Sequence, residues 1–383
     1  MFELIAPTTF GVEKLVKEEL IKLDFRVTAV ENGAVYFNSD AEGICRANIW
    51  LKIPNRVLLK MGSFDAHTFD ELFDSTNAID WAKIIPVNGA FPIVKVSSVK
   101  STLFAKSAVQ SIVKKAIVKN LYESYRTNDL TENGAEYPIH IQILKDRVTL
   151  SIDTTGESLS KRGYRKLADT APLRETLAAA IVSIAKVDFS RETLYDPTCG
   201  SGTILIEAAM RANKIAPGLE RNFISEKWRI IDSKLWKNAR NNAKELVKQR
   251  KLNIFGSDIN GQVIKLAQEN AEIAGVANDI TFFEVAVADA GLVQNISEEL
   301  QNASGVIICN PPYGERMLEI RDAEKLYQEM GKIFTERFKN WSYYILTSHP
   351  DFERLFGKRA DKKRKLYNGK IECCLYQYFA KRN

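Results

Sequence analysis

The chain has few of the residues that build metal sites and disulfide frameworks. It holds 5 cysteines and 3 histidines in 383 residues, and only Cys373 and Cys374 are close together in sequence. An odd, scattered set of cysteines suits a reducing compartment and predicts neither a disulfide framework nor a zinc site. Three widely separated histidines offer little material for a histidine-rich metal site or a histidine-centred triad. We therefore expect no metal ion.

Long apolar runs and low-complexity tracts are also missing. No stretch approaches the roughly 18 apolar residues of a membrane span, and the amino terminus lacks the basic region and apolar core of a signal peptide. We expect a cytoplasmic protein without a membrane segment. The composition, 45% hydrophobic and 27% charged, is that of a globular protein and excludes disorder. At about 100–200 residues per domain, the length predicts two or three domains.

The positive charge is concentrated rather than evenly spread. The net charge is +6, and the stretch 93–122 holds six lysines and no acid. Further basic clusters lie at 161–166 and 358–365. Such clustering is typical of a polyanion partner, because neutralised phosphates release counterions, although a single cluster is more often a solvated helix face. The candidate phosphate contacts are Lys106, Lys115, Lys119, Lys161, Arg162 and Arg165.

Apolar periodicity divides the chain into successive parts. Residues 1–65 alternate short strands and helices in the β-α-β-β-α-β order of a ferredoxin-like domain. Residues 66–155 are again mixed and carry the lysine-rich helix, predicted over 103–122. A polar linker over 156–164 leads to residues 165–383, where strands and helices alternate as in a parallel α/β sheet. The predicted class is α/β, a Rossmann-like domain preceded by smaller α+β domains.

A glycine-rich turn follows a predicted strand at 193–196. The run Asp196-Pro197-Thr198-Cys199-Gly200-Ser201-Gly202-Thr203 leads into a helical pattern, so that backbone can approach a ligand and helix-start amides lie beside it. The dinucleotide-binding fingerprint needs a third glycine and an acid about 20 residues further on. The next suitable acid, Asp258, comes 56 residues after Gly202. A nicotinamide dehydrogenase therefore fits poorly.

Two acids follow later strands of the same region. Asp258 ends a predicted strand at the carboxyl edge of the sheet, where open α/β folds bind ligands. A carboxylate there can accept hydrogen bonds from both hydroxyls of a ribose. Asp289 follows the next strand-like segment on the same rim. The sequence thus predicts a nucleoside-binding edge, although either acid alone is compatible with a structural role.

The most specific motif is Asn310-Pro311-Pro312-Tyr313, directly after the apolar strand at 306–309. The prolines fix the backbone and leave their carbonyls as acceptors, and Asn310 adds a side-chain carbonyl. Such an acceptor pair suits the two hydrogens of an exocyclic –NH₂ group, and Tyr313 offers a face on which a flipped base could stack. Alone, the run is as often an ordinary turn. Behind a glycine turn and two rim acids, it indicates an amine-binding site.

Taken in this order, the motifs resemble those of S-adenosylmethionine-dependent amino-methyltransferases. Further likeness extends to the THUMP-domain RNA methyltransferases that modify guanine N2, and within them to the bacterial 23S ribosomal RNA guanine-N2-methyltransferase family. The runs that carry it are Thr155-Gly156, Lys161–Arg165, Ala171–Ala178 and Asn310–Arg316. The resemblance covers essentially the whole chain, with a ferredoxin-like, a THUMP RNA-binding and a catalytic domain. It implies S-adenosylmethionine as cofactor and RNA, more narrowly ribosomal RNA, as partner, and leaves the oligomeric state open.

The resemblance also assigns roles to the motif residues. Thr198, Gly200 and Gly202 would surround the methionine part of the cofactor, within the turn that runs from Asp196 to Thr203. The nucleoside part would be held by three further residues, with the ribose on Asp258, the adenine ring on Ile259 and its amino group on Asp289. Asn310 and Pro311 would orient the guanine amine, with Pro312 in the same catalytic turn and Tyr313 stacked on the base.

Other functions of the same motifs stay open. A transfer RNA guanine-N2-methyltransferase with the same domain order is the nearest alternative. A DNA amino-methyltransferase would use equivalent chemistry. A protein glutamine methyltransferase could use the same turn, because a carboxamide also presents –NH₂, but it would not explain the lysine-rich front region. A non-catalytic RNA-binding assembly factor would need only that region, and the intact catalytic motifs argue against it.

Overall fold

The computed structural model describes residues 1–165, 173–289, 304–314 and 317–380. The chain forms two compact units, each with a seven-stranded sheet. The first unit contains Met1–Thr8, Val16–Leu159 and Arg221–Asn242, and the second contains Thr9–Leu15, Ser160–Glu220 and Ala243–Asn383. Two segments, 9–15 and 221–242, thus belong to a different unit from their sequence neighbours. Nothing in the sequence pattern indicated this exchange.

The amino-terminal region has the predicted β-α-β-β-α-β order. Its elements are β1 (Phe2–Pro7), α1 (Glu13–Lys22), β2 (Arg26–Glu31), β3 (Ala34–Ser39), α2 (Ala41–Trp50) and β4 (Leu58–Asp65). The start of α2 is fixed by Asp40, whose side chain accepts a hydrogen bond from the Gly43 amide at 2.9 Å. The ferredoxin-like prediction is confirmed.

The lysine-rich helix lies in the region that follows. The elements there are α3 (Phe69–Asn77), β5 (Ile93–Val99), α4 (Lys106–Tyr125), β6 (Ile139–Leu144) and β7 (Arg147–Asp153). Helix α4 runs from Lys106 to Tyr125 rather than over the predicted 103–122. Leu103 lies in the loop before it, where its carbonyl accepts a hydrogen bond from the Ser98 hydroxyl at 2.8 Å. Neither α3 nor β5 was predicted.

One sheet runs through both of these regions. Its strand order is β2-β3-β1-β4-β7-β6-β5, so β5 is an edge strand. Strand β4 meets β1 only at two register positions, whereas it pairs with β7 from Leu58↔Asp153 to Asp65↔Arg147. The main hydrogen-bonded ladder of β4 therefore joins it to the strands that follow position 65, although the pattern before 65 is that of a separate fold.

The second unit supplies the elements of the glycine turn and the Asn-Pro-Pro-Tyr motif. Helix α7 (Ser233–Glu245) is divided between the units, since its residues up to Asn242 belong to the first unit and its last three to the second. The other elements are α5 (Glu175–Ala185), β8 (Thr193–Asp196), α6 (Thr203–Ala212), β9 (Ile254–Asp258), α8 (Gly261–Ile273), β10 (Ile280–Glu284), β11 (Gly305–Cys309), α9 (Met317–Arg337), β12 (Ser342–Thr347), α10 (Phe352–Phe356), β13 (Lys362–Asn368) and β14 (Ile371–Tyr378).

The second sheet has the order β10-β9-β8-β11-β12-β14-β13. Its first five strands are parallel, and β13 and β14 add an antiparallel hairpin at one edge. Every residue of β8 and β11 is buried, as expected of central parallel strands covered on both faces. The carboxyl ends of β8, β9, β10 and β11 therefore lie side by side. The Rossmann-like prediction is confirmed, and no described helix is long and apolar enough to cross a membrane.

Candidate active site and nucleic-acid interface

The glycine turn lies between β8 and α6, as predicted. Gly200 has φ +52° and Gly202 has φ +79°, a region that other residues rarely adopt. A methyl group added at Gly202 would come within 3.2 Å of the Ala267 side chain on α8, whereas one added at Gly200 would meet nothing within 4 Å. Gly202 therefore lets two helices pack closely, and Gly200 faces open space that a ligand can fill.

Asp258 connects the end of β9 to this turn. One of its carboxylate oxygens accepts a hydrogen bond from the Gly200 amide at 3.1 Å, and the other accepts from the Asn260 amide at 3.1 Å. A carboxylate has about four acceptor positions, so roughly two remain. Because Asp258 is only half-buried, those positions can meet the two hydroxyls of a ribose. The donor set and the open side of Gly200 both fit a nucleoside cofactor.

Asp196 occupies a drier position at the end of β8. Its side chain is 1% exposed and accepts a hydrogen bond from the Thr198 amide at 3.1 Å. Burial raises the pKa of Asp196 well above the ordinary value, the Thr198 amide opposes the rise, and the nearby charge of Asp258 adds to it. Asp196 therefore stabilises the turn through its buried contact with Thr198, whereas the half-buried Asp258 is the carboxylate that a ligand can reach.

Of the other predicted cofactor residues, Ile259 and Asp289 are exposed and Thr203 is buried. Ile259 is 74% exposed, a large apolar side chain standing directly after Asp258. Asp289 is exposed at the end of a short 3-10 helix, Val287–Asp289. Thr203 is 5% exposed at the first position of α6. The apolar Ile259 and the acidic Asp289 are of the types that an adenine ring and its amino group need, and their roles stay predictions.

The Asn-Pro-Pro-Tyr turn follows β11, which pairs with β8 in the centre of the sheet. Asn310 is half-buried, Pro311 is buried and Pro312 is exposed. The Tyr313 hydroxyl donates a hydrogen bond to Asn310 Oδ1 at 2.5 Å, which the sequence did not predict. The turn and the glycine loop therefore leave neighbouring strands at the same sheet edge, the arrangement that brings an amine acceptor beside a nucleoside site.

The sequence predicted that both proline carbonyls are free acceptors, and for Pro312 this is wrong. The Pro312 carbonyl accepts a hydrogen bond at 2.7 Å from the Tyr327 hydroxyl of α9, and the same hydroxyl lies 3.0 Å from the Thr347 hydroxyl. This carbonyl anchors the turn rather than facing a substrate. The Pro311 carbonyl accepts no hydrogen bond from the described residues. Asn310 and Pro311 are thus the acceptor pair that the turn offers.

A groove of about 730 Å³ lies beside the lysine-rich helix in the first unit. It is lined by Pro92, Ile93, Ser107, Gln110, Ser111, Lys114 and Lys115. Lys114 pairs with Glu132 at 2.8 Å, whereas Lys115 is exposed and has no ion-pair partner in the described part of the chain. The groove therefore presents serine hydroxyls, a glutamine amide and the positive charge of Lys115 side by side. Such groups bind the phosphates of a nucleic-acid backbone.

The other two predicted lysines of α4 are both exposed, but only one of them has an acidic neighbour. Lys106 is exposed at the first position of the helix. Lys119 lies 3.9 Å from Glu123, so part of its charge is already balanced. Lys161, in the second unit, is exposed. All three stay candidate phosphate contacts.

Arg162 and Arg165 are corrections to the predicted RNA contacts. The Arg162 guanidinium is 1% exposed and lies 3.1 Å from the Glu207 carboxylate, with a second contact at 3.4 Å. Arg165 pairs with Glu175 at 2.5 Å, and both side chains are at most 10% exposed. A buried guanidinium that already holds a carboxylate cannot also neutralise a phosphate. Sequence spacing shows a basic cluster but not which members carry an acidic partner 10 or more residues away.

Several residues around these sites were missed. Ser107, Gln110 and Ser111 lie on the same face of α4 as the predicted Lys115, and their spacing could have shown a polar stripe. Cys373 could not have been found in this way, because its contact with Tyr313 joins residues 60 positions apart. The motif residues Lys166, Ala171, Pro172, Glu315 and Arg316 lie outside the described residues.

Three stretches of the chain match models of known protein families. Residues 162–377, more than half of the chain, match a family described as "RMKL-like, methyltransferase domain". Residues 3–58 match the "RlmL ferredoxin-like domain", and residues 66–153 match the THUMP domain. The three matches follow one another along the chain without overlap.

Two named relatives align with almost all of the chain. The "Putative RNA methyltransferase YpsC" of Bacillus subtilis strain 168 is 45% identical, with 99% of this chain and 96% of the relative covered. The "Ribosomal RNA large subunit methyltransferase K/L" of Psychromonas ingrahamii is 34% identical, with 99% of this chain but 50% of the relative covered. The chain spans about half the length of the K/L relatives.

Two solved structures are similar over their whole length. SMU.472, described as a putative methyltransferase complexed with SAH, has a TM-score of 0.90 at 41% identity, with coverage of 100% of this chain and 99% of its own. A protein described as a predicted N6-adenine-specific DNA methylase, from Listeria monocytogenes str. 4b F2365, has a TM-score of 0.91 at 44% identity, with coverage of 99% and 96%. Both names describe methylation; the Listeria name specifies DNA, and the SMU.472 name specifies no substrate.

Proposed function

Because the chain belongs to the RMKL-like methyltransferase family, we propose that it transfers a methyl group from S-adenosylmethionine to the N2 amine of a guanine in 23S ribosomal RNA. The three family matches confirm the resemblance to methyltransferases with ferredoxin-like and THUMP domains. S-adenosylmethionine is also confirmed as the cofactor of the family, since SAH, the product left after methyl transfer, is bound in a solved structure 41% identical to this chain.

The observation that carries the proposal is the pair of turns at the ends of β8 and β11. The β8 turn supplies Gly200, whose amide donates a hydrogen bond to Asp258 at the end of β9, and these two residues would hold a nucleoside. The β11 turn supplies Asn310 and Pro311 as acceptors. Acceptors that hold both hydrogens of an amine suit –NH₂ rather than a hydroxyl or a ring carbon. The site is therefore suited to methylation of an exocyclic amine.

The chain's own residues would act by orientation and electrostatics. S-adenosylmethionine supplies an activated methyl group when bound, so the protein needs no covalent intermediate. An exocyclic amine is a poor nucleophile because its lone pair is delocalised into the ring. Acceptors at Asn310 and Pro311 favour a tetrahedral nitrogen with its lone pair free, an interaction that strengthens in the transition state.

The nearby thiols do not offer a competing nucleophile. Cys199 and Cys309 are both buried, and burial raises the pKa of each thiol well above its ordinary value, with the charge of Asp196 adding to the rise. A thiol held protonated is inert at neutral pH. The proton released by the amine can pass to water, so the mechanism needs no general base from the protein.

Support for RNA as the substrate comes from the first unit and from the names of relatives. The THUMP match covers the lysine-rich helix and its groove. Both named relatives are called RNA methyltransferases, and the K/L relative is called a ribosomal RNA large subunit enzyme. Because only half of the K/L relative aligns, the proposal takes one methyl transfer from it and no other activity.

The test is to map methylated nucleosides by mass spectrometry in ribosomal RNA, transfer RNA and DNA from cells with and without the gene. We expect one N2-methylguanosine to vanish from 23S ribosomal RNA and to return with the wild-type gene but not with Asn310→Ala. Loss of the mark from transfer RNA alone would support the transfer RNA alternative. Loss of N6-methyladenine from DNA, the activity named for the Listeria neighbour, would overturn the proposal.

A further inference from the structure

Tyr313 makes contacts that stacking on a base does not explain. Its ring is half-buried, and its hydroxyl donates to Asn310 Oδ1 at 2.5 Å. Behind that hydroxyl lies Cys373 of β14, with Sγ at 3.6 Å from the phenolic oxygen and 3.8 Å from the Ile371 carbonyl. The Asn-Pro-Pro-Tyr turn is therefore supported by the β13–β14 hairpin, which follows it by some 50 residues.

The direction of the Tyr313 proton follows from the neighbours of its oxygen. A carbonyl oxygen at 2.5 Å is a much stronger acceptor than a thiol sulfur at 3.6 Å, so the proton lies on the Asn310 side. Burial raises the pKa of Tyr313, Cys373 adds to the rise, and a hydrogen bond from the Asn368 side chain opposes it. The phenol therefore stays protonated and able to donate throughout the working pH range.

A donor at this position decides which side of the Asn310 carboxamide faces the substrate. An asparagine presents an oxygen acceptor or an –NH₂ donor, depending on the rotation of its amide. Only the oxygen can accept a hydrogen from an incoming amine. A fixed donor on one lone pair of Oδ1 holds the oxygen in place and leaves the second lone pair available.

We propose that the Tyr313 hydroxyl, seated on Cys373, is a positioning group that locks Asn310 in its acceptor orientation. This inference rests on the proposed function, since it assumes that Asn310 receives the target amine. It gives Tyr313 two separable roles, with the ring face available for the base and the hydroxyl reserved for Asn310. Tyr313→Phe separates them, because it keeps the ring and removes only the hydroxyl.

The experiment measures single-turnover methyl transfer from radiolabelled S-adenosylmethionine to 23S ribosomal RNA from cells that lack the gene. We expect Tyr313→Phe to slow the step about tenfold, the scale of one lost hydrogen bond, with RNA and cofactor affinities unchanged. Tyr367→Phe is the matched control, because that hydroxyl lies 3.4 Å from the exposed Glu372 carboxylate on the other face of the hairpin. It should leave the rate unchanged.

A double-mutant cycle shows whether the hydroxyl acts through Asn310. If it does, Asn310→Ala/Tyr313→Phe will be no slower than Asn310→Ala alone, since the positioned group is already absent. Additive losses, or a Tyr313→Phe rate equal to wild type while Asn310→Ala is slow, would overturn the inference alone. A normal rate for Asn310→Ala would instead remove the proposed role of the turn.

Crystal structures provide a readout that needs no RNA. The wild type should show one orientation of the Asn310 side chain, in contact with Tyr313. In Tyr313→Phe we expect that side chain to rotate or to adopt two orientations. An unchanged single orientation in the variant would contradict the positioning role, even if the rate falls.

Discussion

Replacing Asp258 should weaken cofactor binding by an amount that its contacts allow us to set. The Gly200 and Asn260 amides occupy one acceptor position on each carboxylate oxygen, and the remaining two would hold the ribose hydroxyls. A hydrogen bond to a charged group contributes about 1.5–3 kcal/mol, and we set the loss at the scale of one such bond because both hydroxyls share a single carboxylate charge. At 1.36 kcal/mol per factor of ten, Asp258→Ala should raise the dissociation constant of SAH by about 13-fold to 160-fold.

Isothermal titration calorimetry with SAH is the direct measurement. Asp258→Asn keeps the shape and one acceptor oxygen, so its loss should be smaller than that of Asp258→Ala. Glu269→Ala is the control, because Glu269 is exposed on α8. A folded Asp258→Ala protein that binds SAH as tightly as wild type would refute the assignment of Asp258 to the cofactor.

Other residues give further tests. Lys115→Ala should lower the magnitude of the log–log salt slope of RNA binding by about 0.7, as for one single-strand phosphate contact. Lys119→Ala should lower it by less, and equal slopes in the wild type and both variants would leave the groove without support as an RNA site. Arg162→Ala should leave that slope unchanged but destabilise the protein by about 3–5 kcal/mol, measured by urea unfolding, because it strands the buried Glu207 charge. Asp196 has a raised pKa in the folded state, so its stabilising contribution is lost as pH rises above the ordinary value of 3.8 towards the folded pKa. Asp196→Asn should therefore raise the melting temperature of the cofactor-free protein at pH 8 more than at pH 5, and an equal effect at both would contradict the shift.

Local motifs predicted much of the second unit. The end of a strand, a turn and the start of a helix all lie within the eight residues from Asp196 to Thr203. The two glycines adopt positive φ and the helix begins directly after them, so both features depend on residues close together in sequence. The turn at Asn310, Pro311 and Pro312 could also be predicted, because it too depends on residues adjacent in sequence. Asp258 could be placed at the rim because carboxyl ends of parallel strands meet at one edge.

Long-range pairing explains what the sequence could not show. The partners of Arg162 and Tyr313 lie 45 and 60 positions away, and periodicity carries no information on such contacts. Strand β5 was missed because it is an edge strand with no buried residue, so it lacks strong apolar alternation. The exchange of segments 9–15 and 221–242 depends on packing of whole units.

The ladder between β4 and β7 determines how this protein can be divided into fragments. A fragment that ends near residue 65 leaves β4 without its long partner, and one that begins at 66 leaves β7 with an open edge. Unpaired strand edges recruit other chains, so both fragments should aggregate on expression. For domain swaps between relatives, the whole sheet is the smallest transferable piece.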